Sequence, residues 1–145
     1  MRRLSSDDVS AMRSALDVYA DSFDDVPSYR AAQPDDTYLE RLLARDDFIQ
    51  LVAADGGTIV GAMSAYVLPK FEQARSEIYI YDLAVDENWR RQGIAERMIE
   101  HLKSIAGDVG AWVIYVQADH GDEPAIALYA KLGSREDVIH FDITP

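Results

Sequence analysis

Apolar residues fall at Val9, Met12, Leu16, Tyr19 and Phe23. That spacing of three or four places them on one face of a helix over about 6–22. Ser5-x-x-Asp8 at its start has the form of a capping box. Residues 24–34 carry two prolines among polar positions and predict a loop, followed by a second helix over about 35–45. The period then changes. Two β-prone runs, 48–54 and 58–68, flank Asp55-Gly56-Gly57, which is a hairpin signal, and 77–85 is the next strand. Helical spacing returns at Ile94, Met98, Ile99, Leu102 and Ile105, with Gly107 placed to stop the helix. The β-prone run 111–118, apolar but for Gln117, suits a strand covered on both faces. Pro124 and Gly133 bracket a short helix with Ala125, Leu128, Tyr129 and Leu132 on its apolar side, and 138–143 is expected to close the sheet.

This order predicts an α/β fold: a mixed, partly parallel sheet flanked by helices, with a βαβ crossover from Tyr79 through Val116 whose strands run parallel. The 145 residues suit a single domain, 1–145. With no cysteine there is no disulfide framework and no thiolate metal site. No exported leader or apolar span is apparent, so a cytoplasmic location is expected. The formal charge of −12 repels nucleic acid and anionic membranes and attracts cations, though it also serves plain solubility.

Against that charge, Arg90 and Arg91 sit side by side where the strand ending at Val85 turns into a helix. The backbone N–H groups at a helix start have no partner within the helix, and the helix dipole adds positive charge there. Residues 90–95, Arg90-Arg91-Gln92-Gly93-Ile94-Ala95, are therefore a candidate phosphate site. Gly93 admits a ligand close to the backbone, Ala95 keeps the first turn uncluttered, and the arginines supply charge. Elsewhere, Asp82 is a charge inside an otherwise apolar strand that starts at Glu77, and Asp119, Asp122 and Glu123 crowd the loop after a parallel strand, where ligand mouths form. Asp142 lies in the expected last strand. Ion pairing and solvated loop charge are the structural alternatives for these acids. His101, His120 and His140 show no metal-ligand spacing, so no metal is expected. The tyrosines at 66, 79, 81 and 115 read as strand and core residues.

Arg90-x-x-Gly93-x-Ala95 resembles the pyrophosphate motif of the GCN5-related N-acetyltransferases (GNAT), and Leu128-Tyr129-Ala130-Lys131-Leu132-Gly133 resembles that family's Leu-Tyr-x-Lys-Leu-Gly segment. Residues 66–85 are similar to the aminoglycoside 3-N-acetyltransferase branch. The resemblance implies acetyl-CoA as co-substrate, with Leu83, Ala84 and Val85 contacting it through their backbone beside the 90–95 turn, in a slot between two splayed parallel strands. It implies Tyr129 as general acid for the departing thiolate, where core packing is the alternative role. If strand alternation is regular, Asp82 points away from Glu77, Tyr79 and Tyr81. A bulge, which the family has near here, would turn it toward the acceptor as a proton acceptor. The acceptor implied is a cationic aminoglycoside, acetylated on its 3-amino group; the carboxylates near the expected strand ends, Asp119, Asp122, Glu123 and Asp142 together with Asp82, are the candidates to hold it. A polyamine or protein-amine acetyltransferase and a non-catalytic acyl-CoA sensor remain alternatives, and a homodimer is left open.

Overall fold

In the computed structural model, which describes residues 1–145, three long strands form the middle of a five-stranded sheet ordered β1-β2-β3-β4-β5. They are β2 (Phe48–Asp55), β3 (Thr58–Pro69) and β4 (Ser76–Val85). β1 (Arg2–Arg3) lies antiparallel on one edge, and β5 (Ala111–Val116) lies parallel to β4 on the other. Alternation divides the side chains between two cores. Ile49, Leu51, Met63, Ala65, Ile78 and Ile80 face α3 (Ile94–Asp108), which contributes Met98 and Leu102. Phe48, Val52, Ala62 and Ala84 face α1 (Val9–Phe23) and α2 (Asp36–Leu43), which contribute Met12, Ala15, Tyr19, Leu39 and Leu43. Gly61 allows α3 to approach closely, since a Cβ there would lie 3.1 Å from Ile94 Cγ2. α4 (Glu123–Leu132) packs outside, with Leu128, Tyr129 and Leu132 against the α3-side core.

The hairpin, the parallel βαβ unit and four helices lie where periodicity puts them, with differences that have local causes. At Ser5 the carboxylate of Asp8 accepts from both the backbone N–H (2.8 Å) and the hydroxyl (2.9 Å). The hydroxyl is thus committed to Asp8 rather than to capping a helical amide, and α1 begins only at Val9. The loop over 24–34 contains a turn of π-helix, Pro27–Ala31. Gly107 does not end α3. The helix runs to Asp108, and the reversal falls at Gly110 (φ 65°). β5 is not covered on both faces: it is an edge strand with Trp112 and Tyr115 exposed. Residues 138–143 do not close the sheet, because they pair with no strand of the chain and lie exposed.

Candidate active site

The register of β4 makes a slot. Its pairing with β5 ends at Ile80↔Val116, while its pairing with β3 continues to Val85. Past Ile80 the parallel neighbours no longer bond, so 82–85 border a gap. Leu83 and Val85 pack into the α3-side core and Ala84 into the opposite one, leaving their backbone edge as the polar lining of the gap.

At the end of this edge the chain turns through Glu87–Trp89 into α3. Arg91 (φ 61°) and Gly93 (φ 73°) are both left-handed, a conformation that gathers successive N–H groups into a concave anion seat. The first amide answered at the start of α3 is Arg97 N–H, by the Gly93 carbonyl at 3.0 Å, so those of residues 91–96 have no backbone partner. The Arg97 guanidinium folds back on the Gln92 carbonyl at 2.9 Å, adding a charge that the motif gives no hint of. Arg90 is partly committed: its Nε donates to the Val85 carbonyl at 2.9 Å and ties the turn to β4. Trp89 packs under the turn against the α3-side core. A hollow of about 510 Å³ lies on the far flank, lined by Ala53, Val60, Trp89, Gln92, Ile94 and Arg97 among others, and does not include 82–85 or Tyr129.

Asp82 is placed by a bulge. Ser64 pairs with Asp82 and Ala65 with Ile80, so Tyr81 is the extra residue and the alternation resets after it. Asp82 thereby faces the α1 side, where the Tyr29 hydroxyl donates to Oδ2 at 3.1 Å. Burial pushes the Asp82 carboxyl above its usual range, and the Tyr29 bond opposes that rise. Burial and the neighbouring Asp82 push the Tyr29 phenol up, so it remains a donor. Tyr29 was missed in the sequence because it lies in a proline-bearing segment and meets Asp82 across 53 positions. On the same face Tyr66, Tyr79 and Tyr115 are register neighbours across three strands. The Tyr79 and Tyr115 rings stack at 4.9 Å and 11°, and Tyr81 meets Tyr66 and Tyr79 edge-on. These tyrosines are not core, since Tyr66, Tyr81 and Tyr115 are exposed.

Tyr129 is half-buried on α4, which Lys131 ties to Glu96 of α3 at 2.7 Å. Burial first, then the Asp122 charge, pushes its phenol up to about 12. Its hydroxyl has no hydrogen-bond partner within the chain. Asp119 and Asp122 in the loop after β5 and Glu123 in the first turn of α4 form an exposed acidic group, and Asp122 also N-caps α4 by accepting from Ala125 N at 3.2 Å. The structure does not bring Asp142 to them: it stands in the extended tail, paired only with His140 at 3.0 Å. No cluster of metal-ligating residues is present.

The profile of the acetyltransferase (GNAT) family matches residues 13–134. An aminoglycoside acetyltransferase from an uncultured soil metagenomic sample is 51% identical to this chain. Its crystal structure superposes with a TM-score of 0.97 over 99% of this chain and 96% of that one. A second aminoglycoside acetyltransferase of the same type of source, solved with sisomicin, is 31% identical with a TM-score of 0.91 over 99% and 94%. An uncharacterized N-acetyltransferase of Bacillus subtilis is 26% identical over 97% of this chain and 94% of its own length. An N-alpha-acetyltransferase of Saccharolobus solfataricus is 33% identical, but over 59% of this chain and 55% of its own.

Proposed function

The chain belongs to the GNAT acetyltransferase family, and on that premise we propose that it acetylates an aminoglycoside antibiotic on the 3-amino group, conferring resistance. The observation that carries this reading is the 51% identity, at TM-score 0.97 over nearly both whole chains, to a solved aminoglycoside acetyltransferase. The sisomicin complex of a second relative supports the same acceptor class. The site's chemistry suits such a ligand. Sugar rings present C–H faces that stack on tyrosine, and ammonium groups are attracted both to ring faces and to carboxylates. Tyr66, Tyr79 and Tyr115 lie on the sheet face that Asp82 shares, with Tyr81 preceding it in the strand, and the exposed acids Asp119, Asp122 and Glu123 steer and register a polycation.

Acetyl-CoA brings a thioester whose acetyl group an amine accepts directly, without a covalent enzyme intermediate. Unpartnered amides, two left-handed residues and three arginines at 90–97 fit its pyrophosphate, and the β4 edge at Leu83, Ala84 and Val85, beyond the end of its pairing with β5, fits its extended arm. Within the 90–95 turn, Arg91, Gln92, Gly93, Ile94 and Ala95 supply N–H groups, and Arg90 holds the turn on β4. Asp82, half-buried with a raised pKa, takes the proton of the acceptor ammonium. Tyr129, protonated throughout the neutral range, gives a proton to the departing sulfur. Two protons leave nitrogen, one to Asp82 before the attack and one as the amide forms; one proton reaches sulfur from Tyr129, which is then reprotonated, so the net reaction releases one proton to solvent.

A panel of aminoglycosides, polyamines and peptide N-termini, each offered with acetyl-CoA, tests the reading. Preferred acetylation of aminoglycosides, with protection of susceptible bacteria expressing the protein, is expected. Transfer only to peptides or polyamines would reassign the acceptor. Binding of acetyl-CoA without transfer to any amine would make the protein a sensor.

A further inference from the structure

Along α1, Arg13, Asp17 and Asp21 recur at i, i+4 and i+8 and so form one polar stripe. Their side chains are directed at the segment 24–36 rather than at one another. Arg13 donates to the Gln33 side-chain oxygen at 2.8 Å and to the Pro34 carbonyl at 3.2 Å, and pairs with Asp36. Gln33 in turn donates from Nε2 to the Tyr29 carbonyl at 3.1 Å. Arg30 reaches back the other way: its Nε donates to Asp17 Oδ1 at 2.7 Å, and its Nη2 to Asp21 Oδ1 at 2.9 Å and to the Asp17 carbonyl at 3.3 Å. The turn between these ties, Pro27–Ala31, contains no fully buried residue. It is fastened to the helix by charge because it has no apolar face to bury. Exposed ion pairs add little to global stability, so the effect of this set is geometric.

The geometry it fixes is demanding. The Tyr29 ring packs on Tyr19 and Phe23 at centroid distances of 5.6 and 5.7 Å, and ring pairs stay favourable over about 4.5–7 Å. The hydroxyl bond to Asp82 Oδ2 is 3.1 Å, and a further shift of about 0.5 Å ends it. Ring packing alone therefore lets Tyr29 move by more than the bond tolerates. We propose that Arg30 is the positioning residue of this arrangement: it clamps the 27–31 turn to Asp17 and Asp21 and so keeps the Tyr29 hydroxyl on Asp82. The functional weight of the clamp rests on the reading of Asp82 as proton acceptor.

The titratable groups that face Asp82 are Tyr19 of α1, Tyr29 of the turn, Tyr66 of β3 and Tyr79 of β4. All four are phenols that burial keeps neutral, and Tyr29 is the one that donates to the carboxylate. Burial raises the Asp82 pKa and the Tyr29 bond lowers it. Releasing Tyr29 leaves burial unopposed.

The test reads the Asp82 carboxyl pKa by carbon NMR of the substrate-free protein, alongside the acid limb of kcat. It compares wild type, Tyr29→Phe, Arg30→Ala, and a paired variant carrying Asp17→Asn with Asp21→Asn. The altered ionic side chains are exposed, so circular dichroism should be unchanged. Arg30→Ala should raise the Asp82 pKa as Tyr29→Phe does, by up to about one unit, and add nothing once Tyr29 is already phenylalanine. The paired variant separates a clamp from a distant field. It removes two negative charges, whose field alone would lower the Asp82 pKa, whereas release of Tyr29 raises it. A rise in both variants, followed by the acid limb with the KM for acetyl-CoA unchanged, is the expected result. A rise in Arg30→Ala with a fall in the paired variant would reduce Arg30 to a distant charge. A pKa unmoved by Arg30→Ala, or moved equally when Tyr29 is already replaced, would show that Arg30 does not hold Tyr29. Each of these overturns the proposal. The expected rises by NMR with an unmoved acid limb would support the clamp and instead remove Asp82 as the proton acceptor.

Discussion

Replacing Tyr29 by phenylalanine removes one hydrogen bond and keeps the ring, which packs against Tyr19 and Phe23 at centroid distances of 5.6 and 5.7 Å. The lost bond is the 3.1 Å donation to Asp82 Oδ2, the interaction that opposes the burial-driven rise of the Asp82 pKa. A hydrogen bond to a charged group contributes about 1.5–3 kcal/mol. This one is long and Asp82 keeps some solvent, so screening favours the low end. About 1.4 kcal/mol is one pKa unit. In Tyr29→Phe the acid limb of kcat should therefore move up by about one pH unit, with the high-pH plateau and the KM for acetyl-CoA little changed. The assay is thiol release from acetyl-CoA, which has no background from a protein without cysteine. Ionisation of the acceptor amine is common to both proteins, so the displacement belongs to Asp82. An unmoved acid limb, in a variant with normal thermal stability, would refute Asp82 as the proton acceptor poised by Tyr29.

Three further outcomes follow from the same geometry. Because the folded-state pKa of Asp82 is raised, its contribution to stability is full below the unfolded value and is lost as pH rises through the folded one. Asp82→Asn should thus raise Tm at pH 7 relative to wild type, lose that advantage in acid, and abolish most turnover. Tyr129→Phe should lower kcat by roughly 10²- to 10⁴-fold, the range for a positioned acid, with little change in acetyl-CoA affinity by calorimetry; wild-type turnover would remove its acid role. Gly93→Asp places a carboxylate in the turn at a left-handed φ and against Arg97, whose Nη1 would lie 3.3 Å from the new Cβ. Calorimetry on the folded variant should show acetyl-CoA affinity reduced at least about tenfold, the equivalent of 1.4 kcal/mol.

The β4 bulge illustrates what the chain discloses before it folds. Simple alternation puts Asp82 opposite Tyr81, and only the register with β3 shows the reset at Tyr81 that turns the carboxylate toward Tyr29. Helices, the hairpin and the parallel βαβ unit are legible because each rests on local period and on turn residues. The turn at 90–95 is legible for the same reason, since its amides are presented by contiguous backbone. What depends on distant neighbours is not. Tyr29 reaches Asp82 across the fold, Arg97 folds back on its own turn, and the tyrosines of β3, β4 and β5 line an open face rather than a core. The run 138–143 has the alternation of a strand but forms none in this fold, because pattern states a propensity and not a partner.

The central claim is tested most directly by incubating the protein with acetyl-CoA and gentamicin and locating the product's acetyl group by two-dimensional NMR. Mass spectrometry should show a single added acetyl, and the NMR correlation should place it on the 3-amino nitrogen. Acetylation at another amine would contradict the assigned position. Recovery of unmodified gentamicin and of every other aminoglycoside offered, under conditions where acetyl-CoA is bound, would contradict the claim itself.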